Sequence, residues 1–171
     1  MSFKNRASVI IVICLVSIVL DQGTKWLASE YLARGPMTSY FFDLFRIGYA
    51  ENVGAFLGMG SDLSPDLRFL IFTVIVGCFL SALTLFVFIY SKHTSEALVA
   101  WALVLSGGVS NFYDRAVNNG AVVDFLNLGI GSLRTGIFNI ADVAIMIGVG
   151  FLLWDEYLRS KREKQAKQAQ G

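Results

Sequence analysis

Long apolar stretches dominate this sequence and determine its predicted architecture. A helix needs about 20 mostly apolar residues to cross the hydrocarbon core of a bilayer. Four windows reach or approach that length, at residues 7–27, 69–90, 97–112 and 137–154. The second window contains no charged residue, whereas the third and fourth are shorter and contain polar residues. The pattern predicts an all-α membrane protein with four transmembrane helices.

The first window has a competing interpretation as a cleaved signal peptide. Lys4 and Arg6 precede the apolar run, as basic residues do in secretory signal peptides. The polar sequence from Asp21 to Lys25 follows the run, where a signal peptide has small residues around its cleavage site. We therefore expect a helix that is retained in the mature protein.

The two longest segments between the windows have the pattern of short strands. Residues 40–47 combine aromatic side chains with charge and lead into a turn-like sequence at 51–54, and residues 120–125 form a second strand-like run. Partial alternation and aromatic content favour strands, and clustered Phe and Tyr residues suit a membrane interface. We expect a small β-sheet on the outer membrane surface, anchored by the aromatic residues at 40–45 and accompanied by an interfacial loop or short helix.

The distribution of Lys and Arg predicts the orientation of the helices. Cytoplasmic segments carry an excess of basic residues, and here these residues gather near the N-terminus, in a short loop at 91–96 and in the tail at 159–171. Both termini are therefore expected in the cytoplasm, with the tail attracted to anionic lipid. The segments at 28–68 and 113–136 then face outward. The length fits a single domain over residues 1–171.

Composition excludes several classes of protein. Charged residues make up 16% of the chain and hydrophobic residues 55%, with a net charge of +1. A soluble domain carries about 25% charged residues, and a nucleic-acid-binding domain carries a basic patch that this sequence lacks. Cys14 and Cys78 both lie in apolar runs, so we expect neither a disulfide framework nor a metal site.

The polar residues inside the windows gather at one depth. With the predicted orientation, Asp21 and Lys25 lie at the outer end of the first helix. Asn139 and Asp142 lie in the first turns of the fourth helix, about 8 Å below the outer boundary at 1.5 Å per residue. Residues 107–115 and Asp124 belong to the same layer. Ionisable residues in lipid are costly and usually functional. Because the inner halves are almost wholly apolar, the pattern argues against an ion channel or pump.

Several hydrolytic chemistries are disfavoured by the residues available. The single histidine, His93, lies in the predicted cytoplasmic loop, away from the polar layer, which argues against a catalytic Ser-His pair. The sequence has no H-E-x-x-H motif, which argues against a zinc protease. A dyad of Ser110 and Lys25 is an alternative. Lys25 lies four residues after Asp21, however, and the two can pair on one helix face. A paired lysine stays charged and is a poor base.

Asp124 and Asp142 differ from the other acidic residues of this layer. Structural ion pairs are expected for two others that have a cation nearby, Asp21 with Lys25 and Asp114 with Arg115. Neither Asp124 nor Asp142 has a cation within four residues. If the two carboxyl groups meet at low dielectric they share a proton, and the pair can activate water as in aspartic proteases. A structural hydrogen bond, or ligand capture by a transporter or lipid-binding protein, is the alternative.

Five sequence blocks contain the polar layer. They are Asp21-Gln22 with Lys25, Glu51-Asn52-Val53-Gly54-Ala55-Phe56, Gly107-Gly108-Val109-Ser110-Asn111-Phe112-Tyr113-Asp114-Arg115, Val122-Val123-Asp124-Phe125 and Phe138-Asn139-Ile140-Ala141-Asp142-Val143. In this order they resemble the bacterial lipoprotein signal peptidase, or signal peptidase II, family over nearly the whole chain. The resemblance implies four transmembrane helices with a small periplasmic β-cradle, and an aspartic endopeptidase of the cytoplasmic (inner) membrane without a cofactor.

The resemblance also implies a substrate and a set of site residues. The substrate is a prolipoprotein whose lipobox cysteine carries a diacylglyceryl group, and cleavage occurs just before that cysteine. By motif, Asp124 and Asp142 are the catalytic pair. The supporting or substrate-lining residues are Asp21, Lys25, Asn52, Gly54, Gly108, Asn111, Asp114, Arg115, Val122, Asn139 and Ala141. Membrane lipids and globomycin-type cyclic peptide inhibitors are expected partners, nucleic acid is not, and the enzyme is expected to be a monomer.

Overall fold

Four long helices account for most of the described chain. The computed structural model describes residues 2–90 and 94–168, so His93 and the end of the tail lie outside the described residues. The helices are α1 (Phe3–Tyr31), α2 (Pro65–Ile89, with a π-helical turn at Leu70–Ile75), α3 (Ser95–Val117) and α4 (Ile140–Gln168). Of these helices, α1 and α2 are the ones long and apolar enough to cross a membrane by length and composition.

The helices pack around α3. One buried cluster joins α1, α2 and α3 through Ile10, Leu80, Leu83, Val87, Leu98, Ala102 and Leu105. On the other side, α3 and α4 approach closely at Gly148, where an added Cβ would lie 2.6 Å from the carbonyl oxygen of Ala100. Small residues at such crossings are typical of helices that associate in lipid. Many large apolar side chains, including Val19, Leu85 and Leu153, are exposed on the outside of the bundle.

A small antiparallel sheet lies beside one end of the bundle. It contains β1 (Thr38–Tyr40), β2 (Phe45–Asn52), β3 (Val122–Ile130) and β4 (Leu133–Arg134), paired in that order. The predicted small sheet is thereby confirmed. Strands β2 and β3 pair from Phe45 opposite Leu128 to Asn52 opposite Val122, with a register shift between Ile47 and Ala50. A 3₁₀ turn at Phe56–Gly58 follows β2.

The turn between β1 and β2 exposes aromatic side chains on a left-handed backbone. Phe41, Phe42 and Asp43 have φ angles of 53°, 56° and 68°, and Phe42 is fully exposed. The turn is held through Asp43, whose carboxylate accepts two hydrogen bonds of 2.6 Å from Arg46 and whose backbone oxygen accepts one of 2.7 Å from Arg134. These arginines, with Arg46 foremost, hold the pKa of Asp43 well below its ordinary value.

The helix bounds differ from the predicted windows in all four helices, and α2 begins at Pro65 instead of at residue 69. Helix α1 continues to Tyr31, and α3 continues to Val117, so the residues after 112 belong to the helix and not to an outward connection. The sequence has no helix breaker there before Asn118-Asn119-Gly120. Helix α4 begins at Ile140 and extends through the predicted tail to Gln168, because that segment is rich in Lys, Arg, Glu, Gln and Ala, which favour helix.

Candidate active site

Asp124 and Asp142 face one cavity between the sheet and the helices. The cavity measures about 220 Å³, and the two residues are only 1% and 6% exposed. Its polar wall also includes Asn52, Asn111 and Arg115. The remaining lining residues are Ala55, Phe56, Phe72, Val76, Gly108, Val122 and Ile145. A carboxyl group on β3 and one at the start of α4 therefore line the same largely apolar cavity.

The start of α4 fixes the position of Asp142. The backbone N–H of Asp142 donates to Oδ1 of Asn139 at 2.9 Å, and the backbone N–H of Asn139 donates to Oδ2 of Asp142 at 3.3 Å. This reciprocal arrangement is a capping box, which satisfies amide groups that the first turn of a helix leaves free. Asn139 is therefore the cap of α4 and precedes the helix, whereas the sequence predicted it in the first turns. The positive end of the helix dipole favours a negative charge on Asp142.

Asn139 also connects the two carboxyl groups. Its Nδ2 atom donates to Oδ1 of Asp124 at 2.6 Å and lies 3.1 Å from Oδ1 of Asn111. The second oxygen of Asp124 accepts a hydrogen bond of 2.9 Å from Nδ2 of Asn52, at the end of β2. Asp124 is thus held by an amide from each side, and one asparagine contacts both members of the carboxylate pair.

Burial changes the protonation behaviour of Asp124. The loss of solvation is the largest cause that raises its pKa, and the negative charge of Asp142 adds to it. Hydrogen bonds from Asn52 and Asn139 act in the opposite direction, and the net result is a pKa of about 7 against an ordinary value of 3.8. The carboxyl group of Asp124 therefore retains its proton up to neutral pH.

A second buried cluster is centred on Lys25. Its Nζ atom lies 2.7 Å from Oδ2 of Asp21 and 2.8 Å from Oδ2 of Asp114. The structural pairing predicted for Asp21 and Lys25 is therefore observed. The pairing predicted for Asp114 with Arg115 is wrong, because neighbouring residues on a helix point in different directions and Asp114 faces α1.

The Lys25 cluster holds the backbone immediately before each cavity carboxylate. Oδ1 of Asp21 accepts a hydrogen bond of 2.7 Å from the backbone N–H of Ala141, which precedes Asp142. Oδ2 of Asp114 accepts one of 3.3 Å from the backbone N–H of Val123, which precedes Asp124. Ion pairs between α1 and α3 therefore position the two segments that carry the carboxyl groups.

Lys25 also sets the orientation of the Asn111 amide. Its Nζ atom donates to Oδ1 of Asn111 at 2.7 Å, and Nδ2 of Asn111 donates to Oδ1 of Asp142 at 3.0 Å. A lysine ammonium can only donate, so the amide oxygen must face Lys25 and the amide nitrogen must face Asp142. Ser110 is not placed as a nucleophile beside Lys25, since its Oγ atom donates to Asp21 at 2.7 Å.

Arg115 holds the segment after β2 over the cavity. Its Nη2 atom donates to the backbone oxygen of Gly54 at 2.6 Å, and its guanidinium lies 5.7 Å from the centre of the Phe72 ring. The backbone N–H of Gly54 donates to Oδ1 of Asn52 at 2.9 Å. A Cβ atom at Gly54 would lie 2.6 Å from the backbone oxygen of Met59, so this turn requires glycine.

The structure brings every residue of the predicted site to this end of the bundle. Gly108 packs against Leu80, where an added Cβ would lie 2.6 Å from a methyl carbon, and Val122 forms part of the cavity wall. Phe72, Val76 and Ile145 also line the cavity but were not predicted from the sequence, because apolar side chains inside apolar windows carry no distinguishing signal. Within residues 2–90 and 94–168, no three His, Cys, Asp or Glu side chains are placed to hold a metal ion.

Known proteins share both this sequence and this fold. The profile of the family described as Signal peptidase (SPase) II matches residues 13–158. Lipoprotein signal peptidase from Brevibacillus brevis is 36% identical over 152 residues, covering 89% of this chain and 97% of the relative. Lipoprotein signal peptidase from Escherichia coli O157:H7 is 30% identical, covering 88% of this chain and 90% of the relative.

A solved structure agrees with these matches. It is described as a bacterial membrane enzyme determined by the in meso method, and it is 30% identical to this chain. The two superpose with a TM-score of 0.76 over 90% of each chain. The five sequence blocks, the paired carboxylates and these similarities agree, and the chain belongs to the signal peptidase II family of membrane peptidases.

Proposed function

We propose that Asp124 and Asp142 are the catalytic pair of a lipoprotein signal peptidase that cleaves prolipoproteins just before their diacylglyceryl-modified cysteine. The observation that carries this proposal is the cavity that both carboxyl groups line, with Asn139 in contact with both. Two carboxyl groups in one water-restricted enclosure are the arrangement that aspartic proteases use to activate water.

The two residues have different roles in this proposal. Asp124 carries the shared proton and donates it to the oxygen of the scissile carbonyl, which is supported by its pKa of about 7. Asp142 is ionised at the start of α4 and accepts a proton from the attacking water. The water oxygen bonds to the carbonyl carbon. The intermediate then collapses as Asp142 gives its proton to the leaving amide nitrogen and one hydroxyl of the intermediate returns a proton to Asp124. The carbon–nitrogen bond breaks, which leaves a carboxyl group on one product and an amine on the other.

The membrane arrangement expected from the sequence is consistent with a lipid-modified prolipoprotein as the substrate. In the proposal all four helices cross the cytoplasmic (inner) membrane, with both termini inside and the sheet on the outer surface. The exposed aromatic turn at Phe41 and Phe42 supports anchoring of the sheet in that surface. A diacylglyceryl group holds the substrate at a fixed depth, which brings its cleavage site to the carboxylates. The enzyme acts as a monomer and is inhibited by globomycin-type cyclic peptides.

The lipid requirement tests this assignment of substrate. Purified enzyme is expected to cleave a diacylglyceryl-modified prolipoprotein at least about 100-fold faster, as kcat/KM, than the unmodified precursor, because the acyl chains supply binding energy and position. The measurement is a gel-shift assay of both precursors in the same mixed micelles. Equal rates for the two precursors would show that the diacylglyceryl group is not recognised.

The pKa of Asp124 predicts the alkaline side of the pH profile. Activity is expected to fall about tenfold per pH unit above pH 7, because Asp124 then loses the proton that it donates. The same raised pKa stabilises the folded protein below the ordinary value of 3.8, and this contribution is lost as the pH rises through about 7. The check is kcat/KM against pH, with the thermal midpoint measured in parallel. Constant activity from pH 6 to 9 would contradict the proton assignment.

A further inference from the structure

A second cavity with two arginines lies beside the catalytic cavity. It measures about 260 Å³, and Arg68 at the start of α2 and Arg115 near the end of α3 both line it. Both side chains are partly buried, and in the described part of the chain neither guanidinium forms an ion pair with a carboxylate. The other lining residues are Val53, Pro65, Phe69, Thr73, Ala116, Asn119 and Gly120.

The two guanidinium groups have hydrogen-bonding capacity left for a ligand. Arg68 donates from Nη1 to the backbone oxygen of Ser61 at 3.2 Å, and its guanidinium forms no other hydrogen bond within the described residues. Arg115 donates from Nη2 to the backbone oxygen of Gly54 at 2.6 Å and from Nη1 to that of Asn111 at 3.3 Å, which leaves part of the donor capacity of its two Nη atoms for a ligand. Two partly buried positive charges facing one cavity favour a ligand with a negative charge and several acceptor oxygens, and a phosphate group meets both requirements.

An apolar groove of about 670 Å³ continues from this cavity along the outside of the bundle. Thr73 lines both, and from there the groove follows the seam between α2 and α3 as far as Thr84. This length of helix spans about 16 Å at 1.5 Å per residue, which is half of the hydrocarbon core of about 30 Å. The groove is lined by Val74, Gly77, Cys78, Leu80, Ser81, Val109 and Phe112.

We propose that the cavity and the groove together bind one anionic phospholipid. The phosphate lies between Arg68 and Arg115, and one acyl chain lies in the groove along α2 and α3. A diacylglyceryl-modified peptide is a different ligand, because its glyceryl group carries no phosphate. The cationic cavity lies at one end of the apolar groove, and the groove is as long as one leaflet of the membrane is thick. A phospholipid would place its head group in the cavity and its acyl chain in the groove.

This lipid site is separate from the catalytic cavity. Phe72 and Gly108 line the catalytic cavity, whereas the next residues, Thr73 and Val109, line the lipid groove. Consecutive helical residues point about 100° apart, so the two sites lie on different faces of α2 and α3. Arg115 lines both cavities and contacts Gly54. A bound phosphate would therefore steady the arginine that holds the segment over the catalytic cavity.

Lipid titration of the purified full-length enzyme, followed by native mass spectrometry, tests the proposal. Phosphatidylglycerol is expected to bind about tenfold more tightly than phosphatidylcholine with the same acyl chains. Both lipids carry the phosphate, but the choline group of phosphatidylcholine adds a positive charge that is repelled by Arg68 and Arg115. Arg68→Gln is expected to remove this preference. Arg34→Gln is the matched control, since Arg34 is an exposed arginine at the same end of the bundle, and it should leave the preference unchanged.

Two further experiments distinguish binding of the lipid head group from binding of the acyl chain. Ser81→Trp fills the groove at an exposed position and is expected to weaken both lipids equally, because Ser81 bonds only to its own helix. Inorganic phosphate at millimolar concentration is expected not to displace phosphatidylglycerol, since it lacks the acyl chain. The proposal is overturned if wild-type enzyme binds both lipids equally, if Arg34→Gln acts like Arg68→Gln, or if inorganic phosphate displaces the lipid.

Discussion

Replacing Asp124 or Asp142 with asparagine is expected to lower the rate of signal-peptide cleavage by about 10³-fold or more. Asparagine can neither donate the proton that the proposal assigns to Asp124 nor accept the proton that the proposed base, Asp142, would remove from water. Both side chains face the same cavity, so each substitution removes one half of the chemistry. The measurement is the initial rate for each variant on a diacylglyceryl-modified prolipoprotein at saturating enzyme.

The fold of these two variants must be shown to be intact. Asparagine has the volume of aspartate but only one acceptor oxygen, so at position 124 it keeps the hydrogen bond from one of the two amide donors, Nδ2 of Asn52 or Nδ2 of Asn139, and loses the other. A thermal midpoint close to that of the wild type is the criterion. Asp62→Asn, at an exposed position, is the matched control and should cleave at the wild-type rate. A rate within tenfold of wild type for either catalytic variant would refute the assigned pair.

Lys25→Met is expected to cause the largest loss of stability, about 3–5 kcal/mol, because it leaves two buried carboxylates without their cation. Asp21 and Asp114 are 0% and 2% exposed, so water cannot replace the ammonium group. The variant should also lose activity, because the backbone before each catalytic residue is bonded to one of these carboxylates. Unfolding in mixed micelles with increasing denaturing detergent measures the change.

A charge-neutralising second substitution distinguishes electrostatics from packing. In the Lys25→Met background, Asp21→Asn removes one of the two uncompensated charges and is expected to recover part of the lost stability. Lys4→Met, which changes an exposed lysine, serves as the control and should unfold like the wild type. A Lys25→Met variant that is as stable as wild type, or that the second substitution makes worse, would contradict the role given to Lys25.

Hydropathy predicted the positions of the four long helices, because each of them contains a long apolar run. The four apolar windows overlap the four observed helices, and the two strand-like runs overlap strands of the sheet. Residues 41–44 of the first run form a turn, however, and the turn predicted at 51–54 begins inside β2. The ends were less predictable. The residues after 112 contain Asp114 and Arg115, which lower the hydropathy, yet the helix continues to Val117 because its polar side chains are satisfied by α1 and by the backbone of Gly54.

The site was predictable where partners are close in sequence. Asp21 and Lys25 are four residues apart on one helix, so their pairing follows from helix geometry. The ion pair between Lys25 and Asp114 joins two helices and has no local signal. The same holds for the contact of Asn139 with Asp124, which depends on how β3 and the start of α4 meet. The predicted depth of the polar residues in the membrane identified the members of the candidate site. Which of them are in contact depends on how the helices and strands pack, and this could not be predicted from the sequence.

The most direct measurement is the mass of the products formed from a diacylglyceryl-modified prolipoprotein. Wild-type enzyme in lipid vesicles is expected to release the signal peptide and leave the modified cysteine as the new N-terminus. The double variant Asp124→Asn with Asp142→Asn is expected to yield neither product over the same time. Product of the same mass from the double variant, or a wild-type cut at another peptide bond, would contradict the assignment of these two carboxylates to this reaction.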